Sequence, residues 1–172
     1  MSESAAFSRE LALSWSVEAM NAAADRVNKI PATDTDLAFA AFGEAVWWIT
    51  VVNDALAKRY PEAYAAALKF QTPRVEETIA GLRSVRHRIA HEVDLFDFIT
   101  PVGSRPDYYG DGRITAWCWK SVGPPTRSDS RDVEGHKAYE TAVAGQNVVH
   151  IFTFALSFLR QVHSLAQSPP SS

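Results

Sequence analysis

The chain has 172 residues, enough for one well-buried core and short for two, so a single domain is expected. Its residues are 47% hydrophobic and 22% charged, a globular composition that excludes wholesale disorder and a fibrous repeat. The formal net charge of −3 gives no overall attraction to polyanions. Any nucleic-acid binding therefore has to come from a local basic patch, or from symmetry that doubles one.

The cellular location is predicted from cysteine content and hydropathy. Cys118 is the only cysteine, which excludes an intrachain disulfide and suits a reducing compartment. The N-terminal segment lacks the basic-then-apolar order of a secretory signal. The apolar stretches 45–52 and 148–159 are shorter than the roughly 20 residues that a membrane-spanning helix needs. We therefore expect a cytoplasmic protein with no membrane partner.

Two helices are predicted in the first 60 residues. Apolar residues that recur every four positions predict a helix over residues 7–28, which Pro31 ends. Its expected core-facing stripe is Leu11, Trp15, Ala19, Ala23 and Val27. Thr33 and Asp34 supply an N-cap signal for a second helix that runs to about Arg59. Its middle is apolar nearly all round, which predicts a subunit interface as well as core contacts.

The remaining elements follow in the same way. Pro61 starts a short helix, and Pro73 starts another that carries the sequence RHRIAHE at residues 86–92. Between about residues 100 and 131 the chain is rich in Gly, Pro, Asp and Tyr, and GDG at 110–112 predicts a tight turn before the β-like RITAWCWK. Asp132 then caps one long last helix that reaches about Ala166.

These elements predict an all-α fold, an antiparallel bundle of four to five helices with a small β-hairpin or loop insertion before the last helix. We expect one helical domain over residues 1–167, with the insertion at about 100–131. Residues 168–172 are expected to form a disordered tail.

The helix that carries RHRIAHE has two faces when residues are placed about 100° apart around its axis. The core-facing side consists of Leu82, Val85, Ile89 and Val93. A neighbouring stripe turned away from the core consists of Arg83, His87, His91 and Asp94, with Arg86 at the border. One interpretation is that this stripe is ordinary solvent-exposed surface. Against this interpretation, its basic residues repel one another without interleaved acids, which favours a functional site.

The sequence RHRIAH at residues 86–91 resembles the Arg-x(4–6)-His signature of the HEPN superfamily (higher eukaryotes and prokaryotes nucleotide-binding), in which Asn, Asp or His commonly follows the Arg. Many prokaryotic members are metal-independent endoribonucleases that act as toxins or in phage defence. The resemblance implies that Arg86 matches the family's Arg, His87 the polar residue that follows it, and His91 the catalytic His. It also implies a helical bundle that forms a homodimer, with the two motifs facing a shared cleft.

Metal-free RNA cleavage needs a base with a near-neutral pKa and donors for the charge that builds on phosphate. We expect His91 to be the general base or acid, Arg86 to clamp the phosphate, and His87 to support them. Arg83 and Arg88 are expected to bind RNA. Because Arg86 and His91 lie about 140° apart on a regular helix, one copy gives an incomplete site that a second copy would complete. A cognate antitoxin or defence-system partner is expected, and no cofactor or metal.

One alternative is a non-catalytic module of the same fold that binds a nucleotide, RNA or a partner protein. Another is a metal site, because His87 and His91 are spaced like the two histidines of a zinc-binding helix. Its third ligand would have to be Asp94, His136, His150 or His163.

A third alternative is a scaffold whose aromatic hairpin grips a partner, with Trp117 and Trp119 on one strand face and Ile114 and Cys118 on the other. A core position for the two tryptophans is favoured over this role. On the second helix, Glu44, Asn53 and Asp54 are candidate supporting partners for Arg86, with caps and surface contacts as the favoured interpretation.

Overall fold

The computed structural model describes residues 3–30, 34–71, 74–91, 95–103, 114–126 and 129–168. These parts of the chain form an all-α bundle with a small two-stranded antiparallel sheet, as predicted. The elements are α1 (Glu3–Lys29), α2 (Thr35–Arg59), α3 (Pro61–Leu68), α4 (Arg74–His91), β1 (Ile99–Gly103), β2 (Ile114–Trp119), α5 (Ser130–Ala142) and α6 (Val148–Gln167). Several residues predicted at boundaries lie outside the described residues, namely Pro31, Thr33, Pro73 and the turn at 110–112.

Helix α1 buries a different face from the predicted one. Its buried side chains are Leu13, Val17, Met20, Ala23, Ala24 and Val27. Leu11 and Trp15 are instead 39% and 61% exposed. A spacing of four residues advances about 400°, so a stripe of fours drifts about 40° per step, whereas alternating spacings of three and four stay on one face. The prediction is therefore correct at the C-terminal end of α1 and wrong at Leu11 and Trp15.

Helices α2 and α6 supply much of the core. Asp34 caps α2 as predicted, its carboxylate accepting a hydrogen bond from Leu37 N–H at 3.0 Å. By length and composition alone both helices could cross a membrane, with mean hydropathies of 1.3 and 1.2, a property that buried core helices share. Most of their large apolar side chains are buried inside the chain. The large apolar residues left exposed on them are Leu37, Phe39, Trp47, Val149 and Leu165.

The single long helix predicted from Asp132 to Ala166 is wrong, because the chain forms α5 and α6 with a break between them. The N-cap of α5 is Asp129, so Asp132 lies inside its first turn. A second N-cap follows at Asn147, whose side chain accepts a hydrogen bond from His150 N–H at 3.1 Å.

The break between α5 and α6 pairs with the end of β2. Gly145 has a φ of 77°, a left-handed conformation that glycine adopts without steric cost. Its N–H donates to Trp119 O at 2.7 Å, and Trp119 N–H donates to Gln146 O at 2.9 Å. These tertiary hydrogen bonds override the helical pattern of the sequence at this point.

The sheet closes one side of the core. In its antiparallel register Ile99 lies opposite Trp119, and Pro101 lies opposite Trp117. The two tryptophans are 1% and 7% exposed, and Trp119 packs edge-on against Phe152 with ring centroids 5.8 Å apart. Both tryptophans therefore fill the core, which was the favoured interpretation of the sequence.

Glycines allow α4 and α5 to approach closely. A Cβ atom on Gly81 of α4 would lie 2.9 Å from the backbone Cα of Tyr139 in α5. A Cβ on Gly135 of α5 would lie 3.1 Å from Ser84 Cβ in α4. The two backbones can meet only because these side chains are missing. The contact brings the N-terminal half of α5 against the polar stripe of α4.

Gly81→Ala is expected to lower the free energy of unfolding by about 1–2 kcal/mol, although alanine favours a helix interior by about 1 kcal/mol. The clash involves the backbone of α5, which cannot rotate away. Gly43→Ala in α2 is the matched control, because its Cβ would meet Leu95 Cδ2 at an ordinary 3.7 Å. We expect the free energy of unfolding of this control, measured by urea denaturation, to rise by up to about 1 kcal/mol. Stabilisation of both variants would contradict the close packing.

Candidate active site

Helix α4 has the two faces that helical projection predicts. Its buried or half-buried side includes Leu82, Val85 and Ile89. Its exposed side includes Arg83, His87 and His91, with Arg86 half-buried at the border. The two further residues predicted for these faces, Val93 and Asp94, lie outside the described residues.

The exposed side of α4 forms one wall of a cleft of about 640 Å³. Helix α2 contributes Trp47 to this cleft, and the N-terminal half of α5 forms another wall. The residues that line this α4–α5 cleft are Trp47, Ala80, Arg83, Ser84, Arg86, His87, Ala90, His91, Asp129, Arg131, Asp132, Glu134 and Gly135. Four of the five predicted site residues thus border one cleft within a single chain, and Arg88 does not.

Two residues of α2 hold Arg86. Its Nη1–H donates to Thr50 Oγ1 at 3.0 Å, and its guanidinium carbon lies 4.9 Å from the centre of the Trp47 ring. The Thr50 hydroxyl in turn donates to Val46 O at 2.9 Å. Among the described residues no carboxylate forms an ion pair with Arg86. The guanidinium is therefore oriented without being neutralised, which leaves its charge available to an anion.

The two histidines of the cleft lie one helical turn apart. The ring centroids of His87 and His91 are separated by 4.9 Å. The Nε2 atom of His87 lies 3.7 Å from Asp132 Oδ1, across the cleft on α5. The Asp132 side chain is 12% exposed, and its backbone N–H donates to Asp129 Oδ1 at 2.8 Å. A carboxylate in this position can orient the imidazole ring of His87.

Arg88 does not lie on the surface predicted to bind RNA. It is 6% exposed, its Nη1–H donates to Gly123 O at 2.8 Å, and its guanidinium lies 5.4 Å from the centre of the Phe98 ring. Two positions along a helix correspond to a turn of about 200°, so Arg88 points away from Arg86. This placement corrects the expectation that Arg88 contributes to an RNA-binding surface, because its side chain is buried inside the chain.

Arg88 helps to anchor residues 120–126, the segment that leads from β2 to α5. The anchoring hydrogen bonds run from Tyr139 OH to Lys120 O at 2.5 Å, from Val122 N–H to Glu140 Oε1 at 3.0 Å, and from Arg88 Nη1–H to Gly123 O at 2.8 Å. Burial raises the pKa of the Tyr139 phenol, which keeps it protonated as a donor. These contacts attach the segment after β2 to α4 and to the C-terminal half of α5.

The α4–α5 cleft carries both signs of charge. Its fixed positive charges are Arg83, Arg86 and Arg131, and its negative charges are Asp129, Asp132 and Glu134. Arg83 also pairs with Asp54 of α2 at 2.5 Å, a half-exposed contact that costs an incoming ligand little to displace. The acidic residues of α5 thus offset the arginines of the cleft, and Arg86 lies in this cleft without an ion pair to any described carboxylate.

The candidate supporting partners on α2 bind elsewhere. Glu44 accepts a hydrogen bond from Arg26 of α1 at 3.0 Å, and Asn53 Oδ1 accepts one from Tyr64 OH at 2.8 Å. Thr50, which no motif in the sequence marks, contacts Arg86 instead.

Within the described residues no group of three or more His, Cys, Asp or Glu is arranged to hold a metal ion. His136, His150 and His163 do not line the α4–α5 cleft. The remaining candidate third ligand, Asp94, lies outside the described residues. The described part of the chain therefore supplies no third ligand to His87 and His91.

No protein-family model, curated protein or solved structure matches the chain significantly.

Proposed function

We propose that the protein is a metal-independent, HEPN-like endoribonuclease that acts as a toxin or a phage-defence effector. The observation that carries the proposal is that Arg86, His87 and His91 border one cleft, with no carboxylate paired to Arg86 among the described residues. The resemblance of RHRIAH at residues 86–91 to the HEPN signature supports the same reaction, and the helical bundle is the fold that this resemblance implies.

Cleavage would proceed by attack of the RNA 2′-hydroxyl on the adjacent phosphorus. The planar guanidinium of Arg86 would bind the non-bridging oxygens and stabilise the charge that builds on them. His91 would accept the proton of the 2′-hydroxyl as the 2′,3′-cyclic phosphate forms, and a protonated imidazole would donate a proton to the leaving 5′-oxygen. His87 is the second imidazole of the same cleft, with Asp132 to orient it.

A homodimer is part of the proposal. The Arg86 guanidinium, which no described carboxylate pairs with, and two imidazoles on the same helix leave most of a bound phosphate facing solvent. A second copy that faced the first across a two-fold axis would add the same groups from the other side. It would also double the positive charge near the phosphate, against the net negative charge of the chain.

The mixed charge of the cleft favours one second candidate, a non-catalytic module of the same fold. Three carboxylates line the cleft beside three arginines, which weakens its attraction for a long polyanion. Such a site could hold a nucleotide, a short RNA segment or a charged peptide of a partner protein without cleaving anything.

The test is to incubate the purified protein with RNA in the presence of a chelator and to identify the product ends. We expect cleavage that leaves 2′,3′-cyclic phosphate and 5′-hydroxyl ends, by a protein that sediments as a dimer. Products with 3′-hydroxyl ends, or activity that the chelator abolishes, would contradict the proposed reaction. RNA binding without cleavage would favour the module, and cleavage by a stable monomer would contradict the dimeric site.

A further inference from the structure

We infer that Trp47 is a stacking platform for an unpaired nucleobase, so that the α4–α5 cleft takes single-stranded rather than duplex RNA. The inference rests on the proposed function, because it takes RNA as the ligand and Arg86 as the phosphate-binding group.

The first observation is the exposure of Trp47. Its side chain is 50% exposed and lines the α4–α5 cleft, whereas Trp117 and Trp119 are buried in the core. A half-exposed indole leaves apolar surface in contact with water, which is unfavourable. A flat aromatic ligand that lay on this surface would remove it from water.

The second observation is the contact between Trp47 and Arg86. The guanidinium carbon lies 4.9 Å from the ring centroid, and Thr50 fixes the guanidinium through a 3.0 Å hydrogen bond. The guanidinium thus lies over one face of the indole before any ligand binds, and the half-exposed remainder of the ring is left for a base. A nucleotide presents the complementary pair, an anionic phosphate and a flat base, on either side of one ribose. A free phosphate would use only the cation.

The charge distribution of the cleft favours a single strand. The bases of a duplex are stacked on one another, so none of them can lie on an indole unless the helix opens. A duplex would also bring the phosphates of a second strand toward the acidic wall of α5, which includes Asp129, Asp132 and Glu134. A single strand can place its phosphate at Arg86 and turn a base edge, with its amino donors, toward these carboxylates.

Binding is measured with a 2′-O-methyl RNA oligonucleotide, which lacks the attacking hydroxyl and so reports binding without cleavage. Trp47→Ala is expected to weaken binding of the single strand by about 5- to 150-fold, the range measured for base–aromatic stacking. Trp47→Phe keeps an aromatic face and should retain most of the affinity. Trp15→Ala is the matched control, because Trp15 is 61% exposed on α1 and does not line the cleft. We expect it to bind like the wild type.

A second ligand separates stacking from an indirect effect on Arg86. An oligonucleotide of the same length without bases should bind equally to the wild type and to Trp47→Ala. Equal losses with the base-free and the normal strand would overturn the inference, since Trp47 would then act only by orienting the guanidinium. Unchanged binding of the normal strand by Trp47→Ala, or duplex RNA that binds as tightly as the single strand, would also overturn it.

Two further outcomes distinguish this inference from the proposed function. If no version of the protein cleaves RNA but binding of the single strand depends on Trp47, the platform stands and the catalytic proposal fails. If the protein cleaves RNA and Trp47→Ala binds normally, the catalytic proposal stands and the platform fails. A third explanation is that Trp47 lies in the dimer interface, and sedimentation of Trp47→Ala tests it. Loss of the dimer in this variant would overturn the inference.

Discussion

His91→Ala is expected to lower the rate of RNA cleavage by about 10²- to 10⁴-fold, because it removes the group that would take the proton of the attacking 2′-hydroxyl. Arg86→Ala is expected to lower the rate by about 10²- to 10³-fold, because the charge on phosphate would then be less stabilised. Initial rates on an end-labelled RNA in chelator measure both effects. The rates of the variants are compared at saturating RNA, where a lower affinity for RNA does not reduce the rate.

The controls separate chemistry from folding. His163→Ala removes a histidine of α6 that contacts Gln167 and does not line the cleft, so we expect it to cleave normally. Arg86→Lys keeps the positive charge but loses the planar fork, and should fall between Arg86→Ala and the wild type. Because Arg86 also bonds Thr50, thermal unfolding of each variant is needed. A folded His91→Ala variant with the wild-type rate would exclude His91 from catalysis.

Arg88→Ala is expected to lower the free energy of unfolding by about 2–4 kcal/mol, since it removes a charged hydrogen bond and the packing of a buried side chain. The bond is to Gly123 O, and the packing is against the ring of Phe98. For a chain of this size the midpoint of thermal unfolding should fall by about 2–4 °C for each kcal/mol. Calorimetry or circular dichroism measures the shift.

Arg131→Ala is the matched control for Arg88→Ala, because Arg131 is an exposed arginine of the cleft. We expect its stability to stay within about 0.5 kcal/mol of the wild type. The salt dependence of RNA binding gives an independent test, since removal of one phosphate-binding cation lowers the slope by roughly 1. A stable Arg88→Ala variant with a reduced slope would mean that Arg88 contacts RNA after all.

The sequence was sufficient to predict the two faces of α4 because α4 is amphipathic and one of its faces packs on the core. The position of Leu82 and Val85 fixes the direction of every other side chain on the helix, including those of His87 and His91. Arg88 shows the limit of this argument. Its positive charge suggests that it belongs with the other arginines of the helix. A long side chain, however, can bury its stem and donate a hydrogen bond to a distant carbonyl. No local sequence pattern indicates which loop lies close enough to accept that bond.

The other half of the site could not be predicted because it depends on contacts between elements distant in sequence. Trp47 and Thr50 are one turn apart on α2, so the sequence places them on one face, but nothing local shows that α4 lies against that face. The sequence predicts Asp132 as a helix cap, because an acid before an apolar run usually is one. Its approach to His87 depends on the glycine contact between α4 and α5, which only the tertiary structure shows.

The contact at Gly81 and Gly135 bears on how the protein would admit a ligand. Most helix pairs are separated by a layer of side chains, and such a layer can change rotamers as a ligand enters. At Gly81 backbone meets backbone, and at Gly135 only the short Ser84 side chain intervenes, so little can adjust at the contact. The width of the cleft at this end is therefore set before binding. Recognition there should follow lock-and-key behaviour, with association rates free of a slow conformational step and little change in amide hydrogen exchange along α4 and α5 when the ligand binds.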